Sequence, residues 1–184
     1  MAETTLEVLV EIPRGSQNKY EYDFKRKLIR LDRVLYSSVH YPADYGFIED
    51  TLADDGDHLD ALVFSNNPTF PGCLVRVRPV GVLKMDDDNG TDCKILCACV
   101  SDPRQDDIVD LESVPAHLLT EIENFFEIYK QLEPGKDTNL RGWGSKREAL
   151  DIVRKAQEAF RTSTRNSVLR IRKRESASLL NSEY

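Results

Sequence analysis

Four aspartates lie within seven residues near the middle of the chain, in the segment 54–60. Gly56 allows a tight bend between Asp55 and Asp57, and the apolar run 61–64 directly after Asp60 predicts a buried strand. Carboxylates held at the mouth of a buried strand supply the oxygen ligands that Mg²⁺ and Ca²⁺ take. The segment taken alone therefore indicates either a hard-cation site or a solvated acidic turn.

A second group of carboxylates, Asp86, Asp87, Asp88 and Asp92, surrounds a predicted hairpin turn at Asn89-Gly90. An EF-hand loop requires carboxylates at its first and twelfth positions and glycine at its sixth. With Gly56 or Gly90 at the sixth position, those places are taken by Thr51 and Leu62, or by Met85 and Leu96. Calcium loops of this type are excluded at both glycines, and a polar hairpin tip stays the alternative for the second group.

Four basic residues suggest a substrate beside the metal. They lie at predicted strand ends, turns or a helix end, next to aromatic or acidic residues: Lys19, Arg33, Lys94 and Lys130. Taken singly, each also suits an ordinary surface charge. Lys94 follows Asp92 by two positions, which on a strand puts both side chains on one face. A cation beside a carboxylate ligand is expected where a polyanion lies between metal ions and ammonium groups.

The elements that must position these residues come in two blocks, strands first and helices afterwards. Alternating or short apolar runs predict strands over residues 4–12, 19–24, 28–31, 61–64, 74–83 and 94–100, and the aromatic-rich residues 41–47 predict a loop. Pro79 predicts an edge position or a bulge in its strand. Because strands and helices do not alternate, the sequence predicts an α+β fold, a barrel of mainly antiparallel strands with two C-terminal helices packed on it.

The first predicted helix begins at Ser113-Val114-Pro115 and ends at Glu133-Pro134-Gly135. Its apolar stripe is Leu118, Ile122, Phe125, Tyr129 and Leu132, so Tyr129 also suits a plain core position. The second helix begins with a capping box over residues 145–148 and buries Ala149, Val153, Ala156 and Phe160. Beyond residue 163 the chain is rich in Ser and Arg with little periodicity, and a disordered tail is expected.

Length and charge bound the class of protein. With 184 residues, 40% hydrophobic and 31% charged, the chain fits one soluble globular domain over residues 1–163, followed by the basic tail 164–184. No stretch approaches the roughly 20 apolar residues of a membrane span, and a cytoplasmic location is expected. The whole chain has a net charge of −7, and residues 165–184 carry +3, so residues 1–164 carry −10. An acidic body disfavours a nucleic-acid groove.

The four cysteines form no CxxC pair. Cys97 and Cys99 share a strand face and suit small buried hydrophobes.

These residues together form a pattern that closely resembles the soluble family I inorganic pyrophosphatases of the bacterial type. The resemblance covers residues 8–160 and rests on seven ordered motifs: Glu11-Ile12-Pro13, Lys19-Tyr20-Glu21, Leu31-Asp32-Arg33, Tyr41-Pro42-Ala43-Asp44-Tyr45-Gly46, the 55–60 stretch, Lys84-Met85-Asp86-Asp87 through Asp92-Cys93-Lys94, and Phe125-Phe126-Glu127-Ile128-Tyr129-Lys130. The stretch D-G-D-x-x-D resembles the signature of that family. Seven separated motifs are far more specific than any one of them.

The resemblance implies Mg²⁺-dependent hydrolysis of pyrophosphate to two orthophosphates, with three to four ions in the active site. Asp57 is expected to act as general base on the attacking water. The implied metal ligands are Asp55, Asp60 and Asp92 for the tightest ion, Asp60 for a second, Asp87 with Asp92 for a third, and Glu11 for a fourth. The implied phosphate-binding residues are Lys19, Arg33, Tyr45, Lys94, Tyr129 and Lys130, with Glu21 and Tyr41 in supporting roles. The resemblance also implies a five-stranded OB-like barrel and a homohexamer.

The chain departs from the family pattern at two places. His58 stands where the pattern D-G-D-P-x-D has proline, and histidine neither fixes φ nor removes the backbone donor. The basic tail is longer than the family core needs, and an RNA- or partner-binding arm is the alternative to a disordered end. Two other functions stay open: a metal-binding module that needs none of the cations, and an OB-type nucleic-acid binder that works through its tail.

Overall fold

The computed structural model describes residues 4–87 and 90–180, without the side chains of Asp87 and residues 166–180. The strands are β1 (Leu6–Ile12), β2 (Asn18–Asp23), β3 (Leu28–Val34), β4 (Asp44–Ile48), β5 (Asp60–Phe64), β6 (Leu74–Asp87), β7 (Gly90–Cys99) and β8 (Thr138–Ser145). The helices are α1 (Ala116–Ile128) and α2 (Lys146–Leu180). The predicted α+β class with two helices is confirmed. Residues 44–47, expected in a loop, belong to β4, and the strand β8 between the helices was not predicted.

Five strands pair in a closed ring. β1 pairs with β4, β4 with β5, β7 with β6 and β6 with β1, all antiparallel, whereas β5 and β7 run parallel. β8 extends the sheet beside β6, and β2 and β3 form a separate hairpin. The register of β6 shifts between Pro79 and Gly81, which confirms the predicted bulge. Residues 88 and 89, which include part of the hairpin turn predicted at Asn89-Gly90, lie outside the described residues.

The period-2 alternation of the strands divides the core between the two helices. On β5, Ala61 and Val63 belong to the cluster that includes Ala149 and Val153 of α2, whereas Leu62 belongs to the cluster that includes α1. On β7, Ile95 and Cys97 likewise face the α2 cluster. Cys97 is fully buried, as its pattern predicted. Each helix therefore covers one face of the same strands.

Gly46 marks the closest approach in the sheet. A Cβ built on it would lie 2.0 Å from the backbone oxygen of Leu9 on β1. No side chain fits at that distance, so only glycine allows β1 and β4 to pair here. The pairing places β4, and with it Tyr45, against the strand that carries Glu11.

The C-terminal ends of both helices differ from the prediction. α1 ends at Ile128 and the chain continues in turns, which leaves Leu132 62% exposed and outside the apolar stripe. The capping box of α2 is confirmed, because the N–H of Ser145 donates to Oε2 of Glu148 and the N–H of Glu148 donates to Oγ of Ser145. The helix does not stop near residue 163 but continues to Leu180, because residues 146–180 contain neither Gly nor Pro to break it. No helix in the described part of the chain is long and apolar enough to cross a membrane.

Candidate active site

A single open cleft of about 640 Å³ collects nearly all of the residues singled out by the sequence. The predicted residues that line it are Glu11, Lys19, Glu21, Arg33, Tyr45, Asp55, Asp57, Asp60, Asp92, Lys94, Tyr129 and Lys130. Tyr41 does not line the cleft and is buried. The side chain of Asp87 lies outside the described residues.

The acidic loop between β4 and β5 is folded by its own backbone. The N–H of Gly56 donates to the oxygen of Ala53 at 3.1 Å, and the N–H of Ala53 donates to the oxygen of Asp57 at 2.8 Å. Gly56 has φ of +94°, the left-handed bend for which its type was predicted. The N–H of Asp57 donates to Oδ1 of Asp55 at 3.0 Å, so both aspartates stay at the exposed rim.

Lys94 bridges two carboxylates at the floor of the cleft. Its Nζ donates to Oδ2 of Asp60 at 2.6 Å and to Oδ1 and Oδ2 of Asp92 at 2.6 and 2.7 Å. The Lys94 side chain is only 3% exposed. Burial alone would lower the pKa of Lys94, but the two carboxylates outweigh burial and raise it, so the ammonium form is retained. The predicted pairing of Asp92 with Lys94 is therefore observed, with Asp60 added to it.

Two buried tyrosines stand behind this group. Tyr45 donates its hydroxyl hydrogen bond to Oδ2 of Asp60, and burial raises the pKa of the Tyr45 phenol. Tyr41 packs against the rings of Tyr45 and Phe125 at 5.6 and 4.7 Å between centroids, and burial likewise raises its pKa. Both phenols stay protonated, so Tyr45 serves as a hydrogen-bond donor and Tyr41 as the packing beneath it.

The β2–β3 hairpin contributes the cationic wall. Lys19 and Arg33 are direct cross-strand partners. Nζ of Lys19 lies 2.7 Å from Oε1 of Glu21 and 3.5 Å from Oδ2 of Asp32. The same Oδ2 accepts from a terminal nitrogen of Arg33 at 2.7 Å. The charges of Lys19 and Arg33 outweigh the effect of partial burial and lower the pKa of Asp32.

The segment after α1 lines the cleft beside the hairpin. Tyr129 is the residue that follows the last helical position, and Nζ of Lys130 lies 5.4 Å from the centroid of its ring. Nε of Arg33 donates to Oε1 of Glu133 at 2.9 Å, and Glu133 is buried. The hairpin and this segment are therefore joined by an ion pair between residues that lie 100 positions apart in the sequence.

Sequence reasoning assigned no role to Asp32, Glu133 or Lys136, yet all three line the cleft. Asp32 adjoins Arg33, and Glu133 follows Lys130 by three positions, which is one turn if the helix is extended. Adjacency to a cation was thus the available signal for both. No comparable signal in the sequence pointed to Lys136.

Burial and neighbouring negative charge both act on the carboxylates of the cleft. Burial raises the pKa of Glu11 to about 7, and the charge of Asp60 contributes in the same direction. Partial loss of solvent within the cleft, with the charges of Asp55 and Asp60, raises the pKa of Asp57. Among the described side chains, no three acidic, His or Cys groups converge tightly enough to form a ready ligand set. The carboxylate oxygens of the cleft and the repulsion between them nevertheless fit hard divalent cations.

The cleft is open and polar, and several carboxylates in it face several cations. These features define a class of protein that binds a compact polyanion together with divalent metal. Comparison with known proteins narrows the class. The sequence model of the family described as inorganic pyrophosphatase matches residues 8–161.

Individual relatives agree with the family match. The chain is 55% identical over 153 residues to the inorganic pyrophosphatase of Methanosarcina acetivorans, which covers 83% of this chain and 90% of that protein. It is 47% identical over 155 residues to that of Streptomyces coelicolor, covering 84% and 95% of the two chains. The crystal structure of inorganic pyrophosphatase from Thermus thermophilus superimposes with a TM-score of 0.84 at 46% identity, over 85% and 91% of the two chains. The chain belongs to the family I inorganic pyrophosphatases and is a hydrolase that acts on pyrophosphate.

Proposed function

We propose that the chain hydrolyses inorganic pyrophosphate to two orthophosphates in a Mg²⁺-dependent reaction, with Asp57 as the general base. The observation that carries the proposal is the arrangement of charge in the cleft. Carboxylates from β1, the acidic loop, β5 and β7 face cations from β2, β3, β7 and the segment after α1. A metal-binding module would need the carboxylates alone, whereas a pyrophosphate site needs both.

Mg²⁺ is proposed to be held by carboxylates from four parts of the chain: Asp55 from the acidic loop, Asp60 from β5, Asp92 and Asp87 from the β6–β7 hairpin, and Glu11 from β1. The chemistry that bound Mg²⁺ supplies is neutralisation of charge on the phosphate oxygens and a lower pKa for the attacking water. Lys94 already spans Asp60 and Asp92, so its ammonium group can turn towards a phosphate oxygen when a metal takes over those carboxylates.

Asp57 is placed to receive the proton of the attacking water. Within the described part of the chain no side chain or backbone donor engages its carboxylate, and it lies at the rim of the cleft beside Asp55. Its oxygens are thus available to a water molecule, as a general base requires. Lys19, Arg33 and Lys130 are proposed to hold phosphate oxygens and stabilise the charge of the leaving phosphate. No covalent nucleophile is needed, and none of the cysteines has a role.

Release of phosphate from pyrophosphate tests this proposal. We expect two phosphates per pyrophosphate consumed in millimolar Mg²⁺, and no turnover after chelation of the metal by EDTA. Restoration of activity by added Mg²⁺ would show that chelation had not damaged the protein. Absence of release in Mg²⁺ from protein with a cooperative unfolding transition would overturn the proposal.

We also propose that the closed ring of β1, β4, β5, β7 and β6 is the OB-like barrel that the resemblance implies. Cross-strand proton contacts in NMR spectra between Leu6 and Val77 would support closure between β1 and β6.

A homohexamer is proposed on the resemblance, and exposed apolar side chains such as Leu28, Leu31 and Tyr36 are available for burial between subunits. Sedimentation should then give six times the chain mass of 21.0 kDa. The division into domain and tail and the cytoplasmic location stay predictions from the sequence.

A further inference from the structure

His58 lies in the acidic loop, and its ring packs among three phenylalanines from three separate parts of the chain. It stacks on Phe47 of β4, with centroids 4.9 Å apart and an angle of 15° between the rings. Phe24, directly after β2, lies at 5.1 Å, and Phe160 of α2 lies at 5.9 Å, both tilted by 39°. Aromatic contacts at these separations stabilise beyond the burial of area alone.

The imidazole contributes its faces rather than its polar atoms to this packing. Nδ1 of His58 is buried and has no hydrogen-bond partner among the described residues. A buried polar atom without a partner costs free energy. The aromatic contacts therefore hold the ring in place against that cost. A phenyl ring of similar size should therefore occupy the same position at least as well.

Apart from the His58 ring, the loop is held mainly by hydrogen bonds of its backbone. Asp55, Gly56 and Asp57 are exposed. After His58, the N–H of Leu59 donates to Oγ1 of Thr51 at 2.9 Å, and before it the oxygen of Asp57 accepts from Ala53. His58 lies between these two hydrogen bonds, so a fixed ring restrains the backbone on both sides of it.

The same packing joins the loop to the elements on either side of the cleft. Phe24 directly follows the hairpin strand that carries Lys19. Phe160 lies one turn beyond Ala156 of α2, whose oxygen accepts from the N–H of Leu52 at 3.0 Å. The ring of His58 is therefore a common contact of the acidic loop, the cationic hairpin and α2.

We propose that His58 is a positioning residue for the reaction, which holds the acidic loop and Asp57 in place by aromatic packing where the family pattern uses the stiffness of proline. The inference rests on the proposed role of Asp57 as general base. The cost of its loss should fall on kcat, because the rings that contact His58 are Phe24, Phe47 and Phe160 and none of the proposed phosphate-binding cations is among them.

Steady-state kinetics of two variants test the proposal. His58→Ala removes the ring and should lower kcat by about tenfold to a hundredfold, the effect of a small misplacement of a reacting group. The KM for pyrophosphate should change by less than about threefold, because uniform binding is retained. His58→Phe should keep kcat within about threefold of wild type and unfold at the same or a higher temperature. Phe70→Ala, at a ring that is 66% exposed and away from the cleft, is the matched control and should leave kcat unchanged.

Hydrogen exchange tests the same inference without reference to turnover. The amides of Ala53 and Leu59 should exchange at least about tenfold faster in His58→Ala, and at the wild-type rate in His58→Phe. If the wild-type protein released no phosphate, the proposed function would fail while this measurement still reported on the loop. If His58→Ala does not fold, His58→Leu, which keeps apolar bulk without a stacking face, takes its place.

Two results would overturn the inference. One is a folded ring-less variant with wild-type kcat and wild-type protection of the two amides. The other is His58→Phe with kcat as low as that of His58→Ala, since a polar role of the imidazole would then be required.

Discussion

Nζ of Lys94 lies 2.6 Å from Oδ2 of Asp60, on two neighbouring strands that run in the same direction. The next residues along each strand, Ile95 and Ala61, are in register, so Lys94 and Asp60 lie side by side on one face. The pair is formed across 34 positions of sequence by the one parallel pairing of the described sheet. An ammonium group is thereby fixed within a set of proposed metal ligands.

Lys94→Met should destabilise the metal-free protein, because the carboxylates of Asp60 and Asp92 then lose the ammonium group that bridges them. Those carboxylates are 29% and 19% exposed. We therefore expect a loss of about 2–3 kcal/mol in the free energy of unfolding, below the value for a fully buried pair. Urea unfolding in EDTA measures the loss, and added Mg²⁺ should recover part of it.

Lys84→Met provides the comparison for that experiment. Lys84 pairs with Glu148 at 2.9 Å, but the side chains are 35% and 50% exposed. Its loss should cost less than about 1 kcal/mol. Equal effects of the two substitutions would contradict the assignment of Lys94 as a buried charge bridge.

Asp57→Asn should lower kcat by about a hundredfold to ten-thousandfold, because an amide cannot accept the proton of the attacking water. Binding of Mg²⁺, followed by calorimetry, should be retained, since Asp57 is not among the proposed ligands. Asp54→Asn is the matched control: Asp54 is exposed and does not line the cleft, so its kcat should equal that of wild type. Full turnover in Asp57→Asn would remove the general-base assignment.

Glu133→Gln should raise the KM for pyrophosphate roughly fivefold, because a neutral acceptor holds Arg33 more weakly by about 1 kcal/mol. Asp32 still pairs with Arg33, which limits the effect. In an Arg33→Lys background the added cost should shrink, as expected for two residues that act together. Glu127→Gln, at an exposed position of α1, should leave KM unchanged. Additive effects of the changes at 133 and 33 would argue against this positioning role.

Glu11→Gln should change the pH dependence of stability in EDTA. Burial raises the pKa of Glu11 from 4.5 to about 7, so between these values the folded state binds the proton more tightly than the unfolded state. Its contribution to the free energy of unfolding is complete below about pH 4.5 and is lost as the pH rises through about 7. Urea unfolding between pH 5 and 8 should show a flatter profile for Glu11→Gln. Glu7→Gln, at an exposed position of β1, should leave the slope as it is in wild type.

Deletion of residues 165–184 should leave pyrophosphate hydrolysis within about twofold of wild type, because every residue that lines the cleft precedes the cut. The α2 residues that pack on the core and on His58, namely Ala149, Val153, Ala156 and Phe160, all precede the cut. Phosphate release at matched protein concentration measures the outcome. Loss of activity in a truncated protein that unfolds at the wild-type temperature would give the tail a functional role. Deletion from residue 157 onward, which removes Phe160, should by contrast reduce kcat.

The sequence by itself determined which chemistry the site carries. The aspartates at 55, 57, 60 and 92 and the cations at 19, 33, 94 and 130 were identified from residue type, spacing and motif, and all of them line one cleft. The strand alternation over residues 4–12 likewise predicted a buried face, and Val8, Val10 and Ile12 are fully buried, because period 2 depends only on local backbone geometry. Local signals also identified the capping box at Ser145 and the bulge at Pro79.

Only the tertiary structure decided which groups meet. The parallel pairing of β5 with β7 brings Lys94 to Asp60, and the packing of α1 brings Glu133 to Arg33. β8 was missed because its Gly-containing sequence has weak strand propensity and pairs with β6 only through distant contacts. His58 could not be explained from its neighbours in sequence, because the rings that hold it come from residues 24, 47 and 160. Contacts between distant segments depend on how the chain packs as a whole, and no local pattern encodes them.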